Sequence, residues 1–588
     1  MKQFFKFMFA SMLGFMLFFF LLFLLLAGIV GGIVASTDSK LVDVKEHTIL
    51  TINLNYPIPE RTSNNPFEQF DFLNFELKKF LGLNDIISNI QKAKNDSKID
   101  GIYLELGICP NDYATLEEIR NELIEFKKSK KFVVAFGELV DEHSYYVASV
   151  SDKIYIHPSG QLVMNGMSSQ VLYLKNMFEK IGVKPELIRH GKFKAAGETL
   201  ISERMSDENR AQIQSYVGSI FNTFIENIAA SRKKTKEEIW AIINELQIQH
   251  PEDAETLGII DGLKYYDEVE SELTKQTSRV ENDKALFVSM GKYKNVQDKN
   301  ISTSDNKIAI IYCTGEIVSG KGDEKTMGSE TIAEAIKKAR TDNSYKAIVL
   351  RINSPGGSAM ASDVIWREVS LAKKAKPVVV SMGGVAASGG YYIACPADAI
   401  VAEANTITGS IGVFGLILNA KELLNQKLGI NVETVKFGQF SDLGFPDKEL
   451  TETERSIIQK GVDRIYNDFV SKVADGRKLS KEFVDSIAQG RVWAATDAKK
   501  IGLVDEIGGL NKAVAIAAEK AKLKDYRKVN LPDEEDVIEN LIGGFDENIT
   551  TYFAKKQLGE QYQYYDQIKK LLKYEGMLMR MNFDVKID

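Results

Sequence analysis

The first candidate for chemistry in this chain is a serine in a run of small residues. Gly383-Gly-Val-Ala-Ala-Ser-Gly-Gly390 follows the β-branched stretch Val378-Val-Val-Ser381 and runs straight into Tyr391-Tyr-Ile-Ala394, so Ser388 falls at a strand-to-helix junction. Small neighbours let a substrate backbone come close, and the unpaired N–H groups at a helix start suit a developing oxyanion. A second glycine turn, Asn353-Ser-Pro-Gly-Gly-Ser358, follows the preceding strand and can set backbone donors on the other side of the same carbonyl. Close packing or a phosphate cradle is the ordinary explanation of such runs. The phosphate reading lacks a Gly-Lys-Ser/Thr or spaced GxGxxG signature.

A serine nucleophile needs a base. All five histidines (His47, His143, His157, His190 and His250) lie in the first 250 residues, so a Ser/His/Asp triad has to borrow His143 or His190 from a distant segment. The other base known for serine is a lysine that burial, without a counter-charge, brings down from about 10.4 towards neutrality. Lys194, in Gly191-Lys-Phe-Lys-Ala-Ala-Gly197, has small residues after it. Periodicity alone does not separate it from a solvated surface lysine.

These two residues sit in different copies of a repeat. Asp100-Gly-Ile-Tyr-Leu-Glu-Leu106 answers Lys346-Ala-Ile-Val-Leu-Arg-Ile352, and Val133-Val-Ala-Phe-Gly137 answers Val379-Val-Ser-Met-Gly383, both 246 positions apart. Leu257-Gly-Ile-Ile-Asp261 answers Ile501-Gly-Leu-Val-Asp505 near the ends. At the Ser388 slot the first copy has Glu142, and at the Lys194 slot the second copy has Ser441. Neither half holds both residues.

The elements that must position them alternate. Short apolar runs at Gly101–Leu106, Phe132–Phe136 and Lys153–Ile156, separated by helical patterns such as Ala114–Lys128, predict parallel strands joined by crossover helices. Asp207–Ser231 and Lys236–Leu246 read as helices closing the first half. The second half restarts with strands at Lys307–Cys313, Ala347–Ile352 and Val378–Ser381, and Glu452 to Ala488 repeats the closing helices. The expected organisation is a tip and anchor over 1–36, a first repeat over 48–270, and a linker over 271–306 around one weak strand at Ala285–Ser289. A second repeat follows over 307–525, then a helical extension over 526–588 in which Tyr562–Met579 has helical spacing. A chain of 588 residues exceeds one core and suits this division.

From Phe7 to Ala35 the sequence is uncharged and rich in Phe, Leu and Met, longer than the roughly 20 residues that span a hydrocarbon core. Lys2 and Lys6 before it put the first residues in the cytoplasm and all that follows Ser36 on the far side. A cleavable signal ending near Val34-Ala35-Ser36 is the competing reading, but its apolar region would run only about 7–15 residues. The mild net charge of −7 gives no reason to expect nucleic acid as a partner. Cys109, Cys313 and Cys395 have no metal-ligand spacing, so neither a metal nor a cofactor is expected.

Taken together, Ser354-Pro-Gly-Gly-Ser358, Ala387-Ser-Gly-Gly-Tyr-Tyr392, Thr408-Gly-Ser-Ile-Gly412 and Gly191-Lys-Phe-Lys-Ala-Ala-Gly-Glu198 resemble the long, duplicated bacterial signal peptide peptidases, also called protease IV. The resemblance covers about 48–525 plus the anchor. It implies an α/β fold of tandem Clp/crotonase-like domains built from ββα units. It also implies a Ser/Lys dyad of Ser388 as nucleophile and Lys194 as general base, with Ser410 orienting the lysine. Gly357 and Gly389 are the expected oxyanion donors, with Gly356 as the alternative. Further implications are a homotetrameric bowl, an inner-membrane protein with its catalytic domain in the periplasm, and remnant signal peptides or other unfolded and membrane-associated peptides as substrates. Gly197 departs from the bulkier residue expected there. Three rivals stand beside this reading: an acyl-CoA enzyme of crotonase type, an inactive membrane scaffold, and a serine esterase using the same dyad.

Overall fold

A computed structural model describes residues 2–37, 42–63, 70–71, 76–77, 80–277, 285–298, 302–323, 325–533 and 577–581, with isolated positions 557, 559 and 562. The first half is built on a six-stranded parallel sheet in the order Gly262–Leu263, Lys153–Leu162, Phe132–Val140, Ile99–Leu106, Thr48–Asn53, Leu286–Ser289. Leu286–Ser289, expected as a lone strand in a linker, forms the edge of this sheet beside Thr48–Asn53. The helix Tyr113–Lys127, started by the Asp112 side chain accepting from Thr115 N, crosses between two of its strands.

The second half repeats the plan in a sheet ordered Val492–Ala494, Ile407–Gly409, Val378–Ala387, Tyr345–Ser354, Lys307–Thr314, Arg527–Leu531. Its parallel core strands are runs of Ile, Val and Leu, as strands covered on both faces must be. The closing helices Asp207–Arg232 and Glu452–Arg477 are each 26 residues long and end alike. Each stops on a left-handed lysine, Lys233 at φ 55° and Lys478 at φ 57°. The duplication read from the sequence is thus visible down to the caps.

A third sheet joins the halves. Its order is Gly322–Asp323, Thr326–Gly328, Glu316–Val318, Gly356–Ser358, Met577–Arg580, Phe414–Asn419, Lys184–Arg189. The first-half strand Lys184–Arg189 pairs antiparallel with Phe414–Asn419 over six residues, from Lys184↔Asn419 to Arg189↔Phe414. The main first-half core likewise takes in Ala387, Ile407, Val492 and Ala494 of the second half.

Most of the expected extension over 526–588 lies outside the described residues; the isolated described positions 557, 559 and 562 are helical, while the two longer described segments are not. Arg527–Leu531 and Met577–Arg580 are strands. The consecutive apolar residues Met577-Leu-Met carry no period that separates helix from strand, and open sheet edges decide the outcome. At the other end of the chain, Lys2–Thr37 is one helix. Within it Gln3–Leu21, with mean hydropathy 2.0, is the one segment among the described residues long and apolar enough to cross a membrane.

Candidate active site

Ser388 ends the strand Val378–Ala387 and precedes the helix Gly389–Ala394. Its backbone is held at φ 55°, ψ −112°, a conformation costly for a residue with a side chain. Two backbone hydrogen bonds hold it there, Ser388 N donating to Gly409 O at 2.8 Å and Tyr392 N donating to Ser388 O at 2.8 Å. The N–H of Gly389, in the first turn, has no acceptor within its own helix.

Lys194 lies in the turn between the strand Lys184–Arg189 and the helix Glu198–Ile201. The pairing of that strand with Phe414–Asn419 brings the turn against the second half, where Phe193 N donates to Gln489 O at 3.0 Å. Arg189 Nη1 donates to Lys194 O at 2.8 Å and fixes the turn from behind. The lysine amine then reaches Ser388 Oγ at 2.8 Å, Ser410 O at 3.1 Å and Ser410 Oγ at 3.1 Å. Lys194, Ser388 and Ser410 are all fully buried.

Burial pushes the Lys194 amine well below its ordinary pKa, and the Arg580 guanidinium adds a smaller effect in the same direction. Among the described residues no carboxylate acts on the amine to oppose the shift. A neutral amine can accept a hydrogen bond, so this contact can carry a proton from Ser388 Oγ to Lys194 Nζ. Ser410, at φ 50°, is held by its N–H donating to Arg491 O at 2.7 Å, and its hydroxyl also reaches Gly490 O at 3.3 Å.

The chain matches the family described as Peptidase family S49 over residues 125–280 and 370–524, and the Clp protease family over 302–406. It belongs to peptidase family S49. It is 35% identical over 496 residues to "Serine protease SPPA, chloroplastic" of Arabidopsis thaliana, covering 83% of this chain and 71% of that one. It is 37% identical over 466 residues to "Protease 4" of Salmonella typhi, covering 77% and 74%. "Putative signal peptide peptidase SppA" of Enterococcus faecium is 33% identical over 264 residues, covering 44% of this chain and 72% of that one. The tandem matches and these relatives make this a duplicated S49 serine peptidase with Clp-protease-like domains.

In this S49 peptidase the two histidines weighed as bases are engaged elsewhere. His190 Nδ1 lies 2.7 Å from Asp463 Oδ1 and its ring stacks on Tyr466, while His143 stacks on Tyr113. Of the glycines, Gly356 already donates its N–H to Ser354 Oγ at 3.2 Å, and Gly357 pairs with Ile317. The slot equivalent to Ser388 is filled by Glu142, whose carboxyl accepts the Gly166 N–H at 2.5 Å, so the first half keeps a plugged copy of the site. Ser441 is exposed, its hydroxyl turned to Gly438 O at 3.1 Å.

Sequence reasoning missed Gly490 and Arg580. A Cβ on Gly490 would lie 2.5 Å from Lys194 Cβ, at a backbone φ of +83°, and one on Gly412 would lie 3.1 Å from Lys194 Cδ. The two glycines clamp the lysine stem. Gly412 stood in a quoted motif, but Gln489-Gly490 reads as an ordinary stop after the helix Lys481–Ile487.

Proposed function

We propose that this serine protease is a membrane-anchored endopeptidase with a Ser388/Lys194 dyad that degrades cleaved signal peptides and other unfolded or membrane-associated peptides. The 2.8 Å contact between a fully buried lysine and Ser388 Oγ carries the reading. Neutral Lys194 takes the Ser388 proton as Oγ bonds to the peptide carbonyl carbon, and the oxyanion accepts N–H groups of Gly389 and Gly357. Gly356, whose N–H donates to Ser354 Oγ at 3.2 Å, is the alternative donor. The C–N bond then breaks, the amine leaving with the proton from Lys194. A water, deprotonated by the same lysine, cleaves the acyl-enzyme and returns Ser388. Ser410 holds the amine towards Oγ in both steps.

The apolar helix at Lys2–Thr37 supports anchoring, with the first residues cytoplasmic and the catalytic part periplasmic. The printed name of the Enterococcus faecium relative supports signal peptides as substrates. We extend the reading to a homotetramer on the family resemblance, which light scattering of the detergent-solubilised chain tests.

The deciding experiment offers a leucine-rich peptide and a p-nitrophenyl ester to the wild type, Ser388→Ala and Lys194→Ala. Both variants should lose peptide turnover by at least about a thousandfold. Turnover surviving in Lys194→Ala would sink the dyad, and ester cleavage without peptide cleavage would turn the reading to an esterase.

A further inference from the structure

Lys194 is the middle residue of a tight turn. Ala195 N donates to Phe193 O at 2.8 Å across it, so the lysine side chain leaves from the apex and its direction follows the tilt of that three-residue loop. A side chain of the first-half helix Asp207–Arg232 holds the same carbonyl. Gln212, 1% exposed, donates from Nε2 to Phe193 O at 3.2 Å and to Asn209 Oδ1 at 2.9 Å, while its Oε1 accepts the Val492 N–H at 3.2 Å. Phe193 O can only accept and Val492 N–H can only donate, which fixes the way the amide faces.

Followed from donor to acceptor, these bonds form one chain through three amide groups. Ser410 N donates to Arg491 O at 2.7 Å, the N–H of the same peptide, on Val492, donates to Gln212, and Gln212 donates to the carbonyl of the peptide that enters Lys194. Amides aligned head to tail polarise one another, so the chain resists displacement as a unit. Lys194 Nζ returns to Ser410 O and Oγ at 3.1 Å and closes the ring. The second repeat has no such amide. Its closing helix Glu452–Arg477 matches Asp207–Arg232 in length, which sets Ile457, 39% exposed, at the position of Gln212. The glutamine stands only in the half that carries the lysine.

We infer that Gln212 is a positioning residue for the proposed base: by tying Phe193 O to the Arg491–Val492 peptide it holds the Lys194 amine in one place against Ser388 and Ser410. The inference rests on the proposed dyad and adds to it the group that sets its geometry. The turn is flanked by cations, Arg189 bonded to Lys194 O, Arg491 over the Phe193 ring and Arg580 acting on the amine. A carboxylate at position 212 would bring an anion among them.

The test sets Gln212→Met, which keeps length and loses the hydrogen bonds, and Gln212→Glu, which keeps the acceptor, against the wild type. Each detergent-solubilised full chain is titrated to completion with a fluorophosphonate, so that peptide turnover is counted per reactive serine. In both variants kcat per serine should fall at least about tenfold with KM within about twofold. The acid limb of kcat/KM should move to higher pH in Gln212→Met as the amine gains water, and further in Gln212→Glu. Ile228→Ala, a cavity in the same helix, should leave kcat per serine within about twofold. An equal fall in Ile228→Ala, or an unmoved acid limb in both Gln212 variants, overturns the inference. Should neither variant fold by circular dichroism, Asn209→Ala, which frees the second N–H of Gln212, decides instead: the limb should move the same way, and an unmoved limb overturns the inference. A readout without catalysis separates this from the dyad. With lysine isotopically labelled at Cε, the resonance missing from Lys194→Met reports the amine, and its midpoint should rise in Gln212→Met. A raised midpoint in a protein whose Lys194→Ala variant keeps turnover removes the dyad and leaves the positioning standing; an unmoved midpoint removes the positioning alone.

Discussion

A lysine kept dry and unpaired is unfavourable for the fold and useful for chemistry, and the two effects are separable at Lys194. Its folded pKa lies below the value of about 10.4 in the unfolded chain, so between those values the unfolded state binds more protons. Stability should therefore rise with pH across that window. Replacing the amine by an apolar group of similar length removes the desolvation cost: Lys194→Met should unfold about 1–3 kcal/mol later in urea at pH 7 while losing activity. In the proposed dyad the free amine is the working form, so kcat/KM of the wild type should climb with pH through the depressed lysine pKa. A flat profile on the acid side would exclude Lys194 as the base. The serine was legible because a strand, a small-residue run and a helix start adjoin in sequence. The lysine was not, since its burial is made by Gly412, Gly490 and Ser410, which lie more than 200 residues further along the chain.

Contacts between elements explain what single residues cannot. The turn carrying Lys194 leans on Gln489-Gly490, so Gly490→Ala adds a methyl into the lysine stem at a positive φ. It should lower kcat/KM by about a hundredfold and stability by about 1–3 kcal/mol, read by peptide turnover and thermal unfolding. The helix Tyr113–Lys127 docks on the second half through acids. Arg351 is bonded to Glu60 at 2.7 Å and to Glu118 at 2.5 Å, Asn405 Nδ2 donates to Glu117 at 3.0 Å, and Glu403 is buried beside them. Burial pushes Glu117 up to about 7 and holds Glu118 and Glu403 above the usual carboxylate range, with Arg351, Arg120 and Lys512 opposing. Folded pKa values above the unfolded one mean the native state binds more protons from about pH 4.5 upward, so this seam loses stability as pH rises towards 7. Glu403→Gln should flatten that slope in a Tm series from pH 5 to 8. Element positions were legible because apolar runs alternate with helical periods. The Met577–Arg580 strand was not, because only the edges of Gly356–Ser358 and Phe414–Asn419 make it one.

At the scale of the whole molecule the repeats have diverged into complementary parts. Glu142 fills in one copy the slot that Ser388, the proposed nucleophile, fills in the other, while the shared sheet from Lys184–Arg189 to Phe414–Asn419 carries Lys194 across. Residues 307–588 expressed alone should give no peptide turnover, and co-expression with residues 1–306 should restore it; turnover by the second half alone would place the base elsewhere. The tandem plan was legible from the 246-residue offset, but how the copies meet was not, since a repeat specifies each core and leaves the seam to unique residues such as Arg351. That seam also sets timing. Lys194 and Ser388 stand 194 positions apart, joined through strands that pair only after both cores have formed. Contacts of such long range form late, so with the proposed dyad a newly made chain remains harmless to its neighbours until its own folding is nearly finished.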